Sequence, residues 1–222
     1  MSDIRDHKRV NDILLGPLER PALQWLASRM PGRVTPDILT AVGVFGALII
    51  FSGYALTNLH PGFLWLASFG FVINWFGDSL DGTLARYRKI ERPKYGFFID
   101  HVVDAANEVI IFLGLGLSPY VRFELACLAL IGYLMLSVLV YVRTCVKGEF
   151  VISYQGLGPT EVRVLAIIAN TLIFIVGNPL VTISKLTLTI YDWLVVIVIA
   201  LLWIIFALSA FNQARILSKA DQ

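Results

Sequence analysis

Residues 74–104 read NWFGDSLDGTLARYRKIERPKYGFFIDHVVD and join two apolar segments through a short basic loop. Asp78 and Asp81 lie three residues apart before the loop, and Asp100 and Asp104 lie four apart after it. Residues at these spacings share one face of a helix. Because so short a loop makes the two helices antiparallel neighbours, we expect the four carboxylates to converge at one end of the pair.

The composition around this stretch indicates a membrane protein. Of the 222 residues, 57% are hydrophobic and 15% are charged, whereas about a quarter of a soluble domain is charged. A helix that crosses a bilayer needs about 20 apolar residues, and backbone groups in lipid must be satisfied within the helix. Six runs meet this requirement: Ile38–Thr57, Phe63–Asp81, Phe97–Leu117, Leu125–Val142, Val164–Ile183 and Trp193–Asn212.

The distribution of basic residues predicts the orientation. With six spans, all the Lys and Arg residues except Arg122 and Lys185 fall on the side that holds both termini. Because loops rich in Lys and Arg stay in the cytoplasm, we expect both termini and the acidic stretch to face the cytoplasm from the cell membrane.

The expected fold is therefore an all-α integral membrane protein, with six transmembrane helices after an N-terminal interfacial amphipathic helix. Pro17–Met30 is the segment that fits this first helix, since its apolar and polar residues separate onto two sides. The predicted parts are a cytoplasmic segment at 1–34, a six-helix catalytic domain at 35–215 and a cytoplasmic tail at 216–222.

Other classes of protein are disfavoured. The net charge of +2 and the lack of a basic tail argue against nucleic-acid binding. Cys127 and Cys145 both lie in or beside one apolar run, so neither a disulfide framework nor a zinc site is expected.

The four aspartates predict a metal site. Close carboxylates repel one another, and burial strengthens the repulsion. Hard divalent ions such as Mg²⁺ compensate oxygen ligands of this kind, and two ions would suit a phosphoryl displacement. Gly82 and Gly96 leave room for a substrate, and Arg86 can meet a phosphate. The plainer alternative, solvated acids paired with the basic loop, is disfavoured because acids inside apolar segments are costly and usually functional.

The pattern Asp78-x2-Asp81-Gly82-x2-Ala85-Arg86-x9-Gly96-x3-Asp100-x3-Asp104 resembles the signature of the CDP-alcohol phosphotransferases. The run Thr35-Pro36-Asp37-Ile38-Leu39-Thr40 resembles the family's entry to its first span, with Asp37 in place of the usual Asn.

The resemblance implies a six-helix homodimer that transfers a substituted phosphate from a CDP-linked donor to an alcohol. It implies that Asp78, Asp81, Asp100 and Asp104 surround two divalent ions, Mg²⁺ or Mn²⁺, and that Asp104 is the general base. By the same resemblance, the CDP pocket is lined by Gly82, Ala85, Arg86 and Gly96.

The acceptor and the lipid substrate stay open. Arg143, Lys147 and Arg163 flank the fourth and fifth spans, where they either bind a phosphorylated acceptor or are ordinary cytoplasmic charges. The donor is either CDP-diacylglycerol or a similar CDP-lipid, or else a soluble CDP-choline or CDP-ethanolamine that reacts with a lipid hydroxyl. A cation transporter is the alternative of another class. It is disfavoured because the acids cluster at the cytoplasmic ends and the outer halves of the spans carry almost no polar relay.

Overall fold

A computed structural model of the chain describes residues 9–10, 14–147, 150–151 and 158–220. Helices dominate this part of the chain. The elements are β1 (Arg9–Val10), α1 (Gly16–Arg29), α2 (Pro36–Leu56), α3 (Phe63–Arg88), α4 (Pro93–Gly116), α5 (Phe123–Lys147), β2 (Phe150–Val151), α6 (Pro159–Val176), β3 (Leu180–Ile183), β4 (Leu186–Thr189) and α7 (Ile190–Ala220). The short strands β1 and β2 pair in parallel, and β3 and β4 form an antiparallel hairpin.

Five helices in the described ranges are long and apolar enough to cross a membrane: α2, α3, α5, α6 and α7. Helix α4 has a similar length of 24 residues, but Asp100, Asp104 and Glu108 lie in the middle of it, so any stretch of α4 long enough to cross a membrane contains three acids. The all-α membrane class predicted from the sequence is confirmed, and the count of six spans stays a prediction.

Helix α1 confirms the helix predicted for Pro17–Met30 to within one residue at each end. Its buried Leu23 and Ala27 pack with Leu80 and Leu84 of α3. Its interfacial position in a membrane stays a prediction.

The two helices of the acidic stretch are separated by a loop of only four residues. Helix α3 continues through Arg88 and ends at Lys89, which adopts the left-handed conformation with φ 57° and ψ 38°. Helix α4 begins at Pro93, a residue well suited to the first helical turn. The motif residues before and after the loop therefore lie on continuous helix.

The fifth predicted span, Val164–Ile183, was wrong at its C-terminal end. Helix α6 stops at Val176, and Gly177 follows with φ 82°, a conformation that strongly favours glycine. The chain then forms the β3–β4 hairpin instead of continuing as helix.

Glycines allow α2 and α3 to approach closely. A Cβ added at Gly46 would lie 2.4 Å from the backbone nitrogen of Asn74, and one at Gly77 would lie 2.2 Å from that of Gly43. Side chains cannot fit at these distances, so the small residues let the two backbones meet. Since Gly77 directly precedes Asp78, this contact sets the position of the first acid of the motif.

A buried polar cluster lies away from the acids, in the halves of the helices where the sequence predicts almost no polar relay. Tyr54 and Tyr191 each donate a hydrogen bond of 3.0 Å to Asn170 Oδ1. Asn170 Nδ2 lies 3.2 Å from Ser68 Oγ. These bonds join α2, α3, α6 and α7 around one amide.

Candidate active site at the α3–α4 hairpin

The structure brings three of the four predicted aspartates together. One carboxylate oxygen from each of Asp78, Asp100 and Asp104 lies within 4.8 Å of the others, and the three side chains are half-buried. Asp78 comes from α3, whereas Asp100 and Asp104 lie one turn apart on α4. Their roles as metal ligands stay predictions.

Asp81 lies beside this group and faces α2. The hydroxyl of Thr40 donates a 2.6 Å hydrogen bond to Asp81 Oδ2, and the Gly82 amide donates to Oδ1. Asp81 nevertheless interacts electrostatically with Asp78 and Asp100. Carboxylates that bind metal ions in proteins are commonly oriented by hydrogen bonds of this kind.

Arg163 reaches the cluster from the first turns of α6. Its Nη2 donates to Asp78 Oδ2 at 2.6 Å, and its Nε donates to Asn74 Oδ1 at 2.8 Å. Asn74 Nδ2 in turn donates to the Gly43 carbonyl at 2.9 Å. The sequence suggested Arg163 as an acceptor ligand, and the structure places it directly against the first acid of the motif.

Glu108 and Tyr133 are polar residues at the site that the sequence analysis missed. Glu108 lies one turn beyond Asp104 on α4, and its side chain lies beside the Tyr133 hydroxyl of α5. It also interacts electrostatically with Arg163 and Asp78. A signal was present, because residues 100, 104 and 108 continue one helical stripe of acids.

The predicted CDP-binding residues lie along the turns of the same two helices that flank the connecting loop. The Arg86 guanidinium folds back over Gly82, where an added Cβ would lie 3.3 Å from Nη1, and its Nη2 donates to Thr83 Oγ1 at 3.2 Å. Ala85 is half-buried beside Arg86. Gly96 is exposed, and an added Cβ there would meet nothing within 4 Å.

The remaining acceptor candidates are on α5. Arg143 is half-buried near the end of this helix. Lys147 is its last residue, and the side chain of Lys147 lies outside the described part of the structure. The structure therefore brings Arg163 to the acids and does not place Lys147 relative to them.

The donor set of the cluster fits a hard divalent ion. The ligand atoms offered by Asp78, Asp100 and Asp104 are all carboxylate oxygens, which Mg²⁺ and Mn²⁺ prefer over softer metals. Arg163 compensates the single negative charge of Asp78. The cluster of three carboxylates therefore still carries an excess of negative charge. That excess is what a divalent ion would neutralise.

An apolar cavity of about 380 Å³ runs beside the site between α1, α3 and α6. Most of its wall is apolar, and Glu19 and Arg163 are the charged residues in its lining. Glu19 is itself held by Trp75 Nε1 at 2.7 Å and by Thr160 Oγ1 at 2.8 Å. The cavity thus connects an apolar surface of the helices with the residue that contacts Asp78.

Fold, motif and cluster define a membrane protein of the CDP-alcohol phosphatidyltransferase class. Residues 33–205 match the family model described as CDP-alcohol phosphatidyltransferase, and the chain belongs to this family. The family predicted from the aspartate motif is confirmed.

Two curated relatives show which members it resembles. The phosphatidylinositol phosphate synthase of Cutibacterium acnes is 30% identical over 139 residues, which cover 60% of this chain and 63% of the relative. The archaetidylinositol phosphate synthase of Pyrococcus horikoshii is 33% identical over 104 residues, which cover 47% of this chain and 52% of the relative. The chain thus aligns with less than two thirds of the length of each.

Proposed function

We propose that this protein transfers a substituted phosphate from a CDP-linked lipid, of the CDP-diacylglycerol kind, to an alcohol with release of CMP. The observation that carries the proposal is the convergence of the Asp78, Asp100 and Asp104 carboxylates within 4.8 Å beside Arg163. Membership of the CDP-alcohol phosphatidyltransferase family supports the same reaction.

In this proposal, two divalent ions are held by Asp78, Asp81, Asp100 and Asp104. When bound, such ions neutralise a diphosphate and stabilise the charge that develops on a leaving phosphate. The Thr40 hydroxyl keeps the Asp81 carboxylate turned toward α2, so that this acid is oriented before any ion arrives.

Asp104 is the proposed general base. It accepts the proton of the acceptor hydroxyl as the new oxygen–phosphorus bond forms, and the bond from phosphorus to the CMP oxygen breaks. The leaving CMP keeps the electron pair of the broken bond. Asp104 lies inside the acidic cluster, one turn from Asp100, and this position brings the base close to the reacting phosphate.

The nucleotide half of the donor is assigned to the cytoplasmic turns. Arg86 supplies a cation for the diphosphate, and the open space at Gly96 lets a nucleotide approach the backbone. Arg86 lies against Gly82 in the structure, so its flexible end must move to reach a ligand there.

The apolar cavity supports a lipid as one substrate. It would take part of an acyl chain between α1, α3 and α6, while the phosphate stays at Arg163 and the acids. Both relatives are named as synthases of a lipid joined to inositol phosphate. We therefore favour a lipid donor and a polar acceptor over a soluble CDP-head group.

A phosphorylated alcohol is the proposed acceptor, and Arg143, Lys147 and Arg163 are its proposed phosphate ligands. Arginine forms paired hydrogen bonds with phosphate oxygens. Arg163 already lies at the cluster, which puts a phosphate-binding cation within reach of Asp104.

The decisive experiment incubates the purified protein with a panel of CDP donors and alcohol acceptors, and identifies the lipid product by mass. Expected results are CMP release with a CDP-lipid donor, loss of CMP release on chelation of divalent ions, and recovery with Mg²⁺ or Mn²⁺. Product formed only from CDP-choline or CDP-ethanolamine would overturn the choice of donor, and activity that survives chelation would overturn the metal requirement.

Asp104→Asn tests the general base against a matched control. The proposal expects at least a hundredfold loss of CMP release, in the range of about 10²–10⁴ that general base catalysis contributes. Asp37→Asn removes another acid near the start of α2, which pairs with Arg92 outside the cluster, and should keep activity. Equal activity of the two variants would contradict the assignment.

We also propose that both termini and the site face the cytoplasm, and that the protein is a homodimer. The native cysteines test the orientation, because the half-buried Cys127 lies near the start of α5 and the exposed Cys145 near its end. An impermeant maleimide should label Cys145 only from the cytoplasmic side. Labelling of Cys145 in intact cells would contradict the proposed orientation.

The homodimer is tested by mass measurement. A monomeric mass in detergent and in nanodiscs would overturn the dimer.

A further inference from the structure

Glu108 is a half-buried carboxylate to which the proposed reaction gives no role. It lies four residues after Asp104, so the two acids share one face of α4. The Tyr133 hydroxyl of α5 lies beside its carboxylate, and Arg163 and Asp78 act on it electrostatically. An acid in such surroundings is costly to keep without a use.

The guanidinium of Arg163 has hydrogen-bond partners for only part of its donor groups. Nη2 and Nε donate to Asp78 and Asn74 at 2.6 and 2.8 Å. Nη1 is buried and has no hydrogen-bond partner in the described structure. Arg163 therefore makes an incomplete set of bonds where it lies, although only 13% of its side chain is exposed.

Arg163 and a divalent ion compete for Asp78. Arg163 holds the Oδ2 atom, and an ion bound to this carboxylate would bring a second positive charge against the guanidinium. Removing one partner from a buried ion pair leaves an uncompensated charge and is strongly unfavourable. Arg163 thus needs another carboxylate when Asp78 binds an ion.

We propose that Glu108 is a positioning residue that holds Arg163 at the site when a divalent ion occupies Asp78. Arg163 then has two positions, one on Asp78 and Asn74 and one on Glu108, and Tyr133 keeps the Glu108 carboxylate fixed for the second. The inference rests on the proposed function, since it concerns the same acidic cluster.

The two positions couple ion binding to acceptor binding. In the position on Asp78, the guanidinium neutralises an acid of the cluster and opposes the ion. In the position on Glu108, it is free of Asp78 and can bind an acceptor phosphate beside Asp104. Glu108 therefore favours the binding of both the ion and the acceptor. It acts through Arg163 and contacts neither ligand.

The test is a double-mutant cycle on Mn²⁺ binding, measured by electron paramagnetic resonance on the full chain in nanodiscs without substrates. Glu108→Gln should weaken Mn²⁺ binding about tenfold. This is the lower end of the loss in metal affinity that is usual when a residue supporting the metal ligands is replaced. Arg163→Met should tighten Mn²⁺ binding, because the competing cation is gone. In the Arg163→Met background, Glu108→Gln should change the Mn²⁺ affinity less than about twofold. The reason is that Glu108 acts on the ion through Arg163, so its effect disappears when Arg163 is absent.

The cycle separates the inference from simpler explanations. If Glu108 only attracts cations, Glu108→Gln will weaken Mn²⁺ binding equally with and without Arg163, and the inference is overturned. A wild-type protein that binds no Mn²⁺ would overturn the proposed metal site as well. Glu91→Gln, which removes an exposed acid of the loop after α3, is the matched control and should leave Mn²⁺ affinity unchanged.

Tyr133→Phe provides a second test that keeps every charge. Loss of the hydroxyl beside Glu108 should weaken Mn²⁺ binding severalfold and raise KM for a phosphorylated acceptor more than it lowers kcat. Unchanged Mn²⁺ affinity and KM in this variant would overturn the inference, even if the Arg163→Met protein does not fold.

Discussion

Gly77→Ala tests whether the close contact of α2 and α3 positions the acids. The added Cβ would lie 2.2 Å from Gly43 N, 2.5 Å from the Leu39 carbonyl oxygen and 2.6 Å from Gly43 Cα. All three atoms belong to backbone, so no side chain can turn away. Because non-bonded contacts are ordinarily about 3.5–4 Å, the helices must separate by roughly 1 Å.

The expected cost follows from two opposing effects. Overpacking of a tight interior costs about 1–3 kcal/mol, and contact with backbone places Gly77→Ala at the upper end. Alanine recovers about 1 kcal/mol of helix propensity relative to glycine. The net loss is therefore about 2 kcal/mol, which corresponds to roughly 4–8 °C in Tm for a chain of this length.

The assay is thermal unfolding in detergent, with CMP release measured on the fraction that stays folded. Gly96→Ala is the matched control, because an added Cβ at Gly96 meets nothing within 4 Å and should leave Tm equal or slightly higher. Separation of the helices also moves Asp78. The rate of CMP release per folded molecule should therefore fall as well, at temperatures where the Gly77→Ala protein is still folded. A Gly77→Ala protein as stable and as active as Gly96→Ala at saturating donor would refute the reasoning.

Three further predictions follow from individual contacts. Gly96→Ala should raise KM for the CDP donor severalfold while unfolding like wild type; Gly32→Ala, at another open position, should change neither KM nor Tm, and equal KM values would remove Gly96 from the nucleotide pocket. Asn170→Ala should lower stability by about 1–3 kcal/mol, because it leaves buried hydroxyls without their partner; an unchanged midpoint in thermal unfolding would contradict this. Thr40→Val removes the 2.6 Å bond to Asp81 and should weaken Mn²⁺ binding about tenfold in titrations, whereas unchanged affinity would show that Asp81 needs no support from α2.

The sequence was sufficient where the physical signal is local. Apolar runs of about 20 residues define helices in lipid whatever surrounds them, so the membrane class could be predicted from composition alone. The spacing of Asp100 and Asp104 fixes a shared helix face in the same way. The end of α6 could have been found as well, since Gly177 and Pro179 interrupt the apolar run.

Contacts between distant segments could not be predicted. The partnership of Arg163 with Asp78 joins residues 85 positions apart, and the bond of Thr40 to Asp81 joins α2 with α3. Nothing in the spacing of these residues indicates that they meet. Glu108 was overlooked because the motif ends at Asp104, although the acid continues the same helical stripe.

The sequence by itself determined that this chain is a helical membrane protein, that it carries the aspartate motif, and that the motif lies on two consecutive helices. These properties depend on hydrophobicity and helical periodicity, which act over short stretches of chain. Only the tertiary structure decided that Asp78 pairs with Arg163, that Asp81 turns toward Thr40, and that Glu108 interacts electrostatically with both charges of the pair. Such contacts depend on how helices distant in the chain pack together: α3 packs on α1, α2 and α6, and α4 packs on α2 and α5. Close backbone approach at Gly43 and Gly77 brings α2 against α3, and no local pattern of the sequence fixes this arrangement.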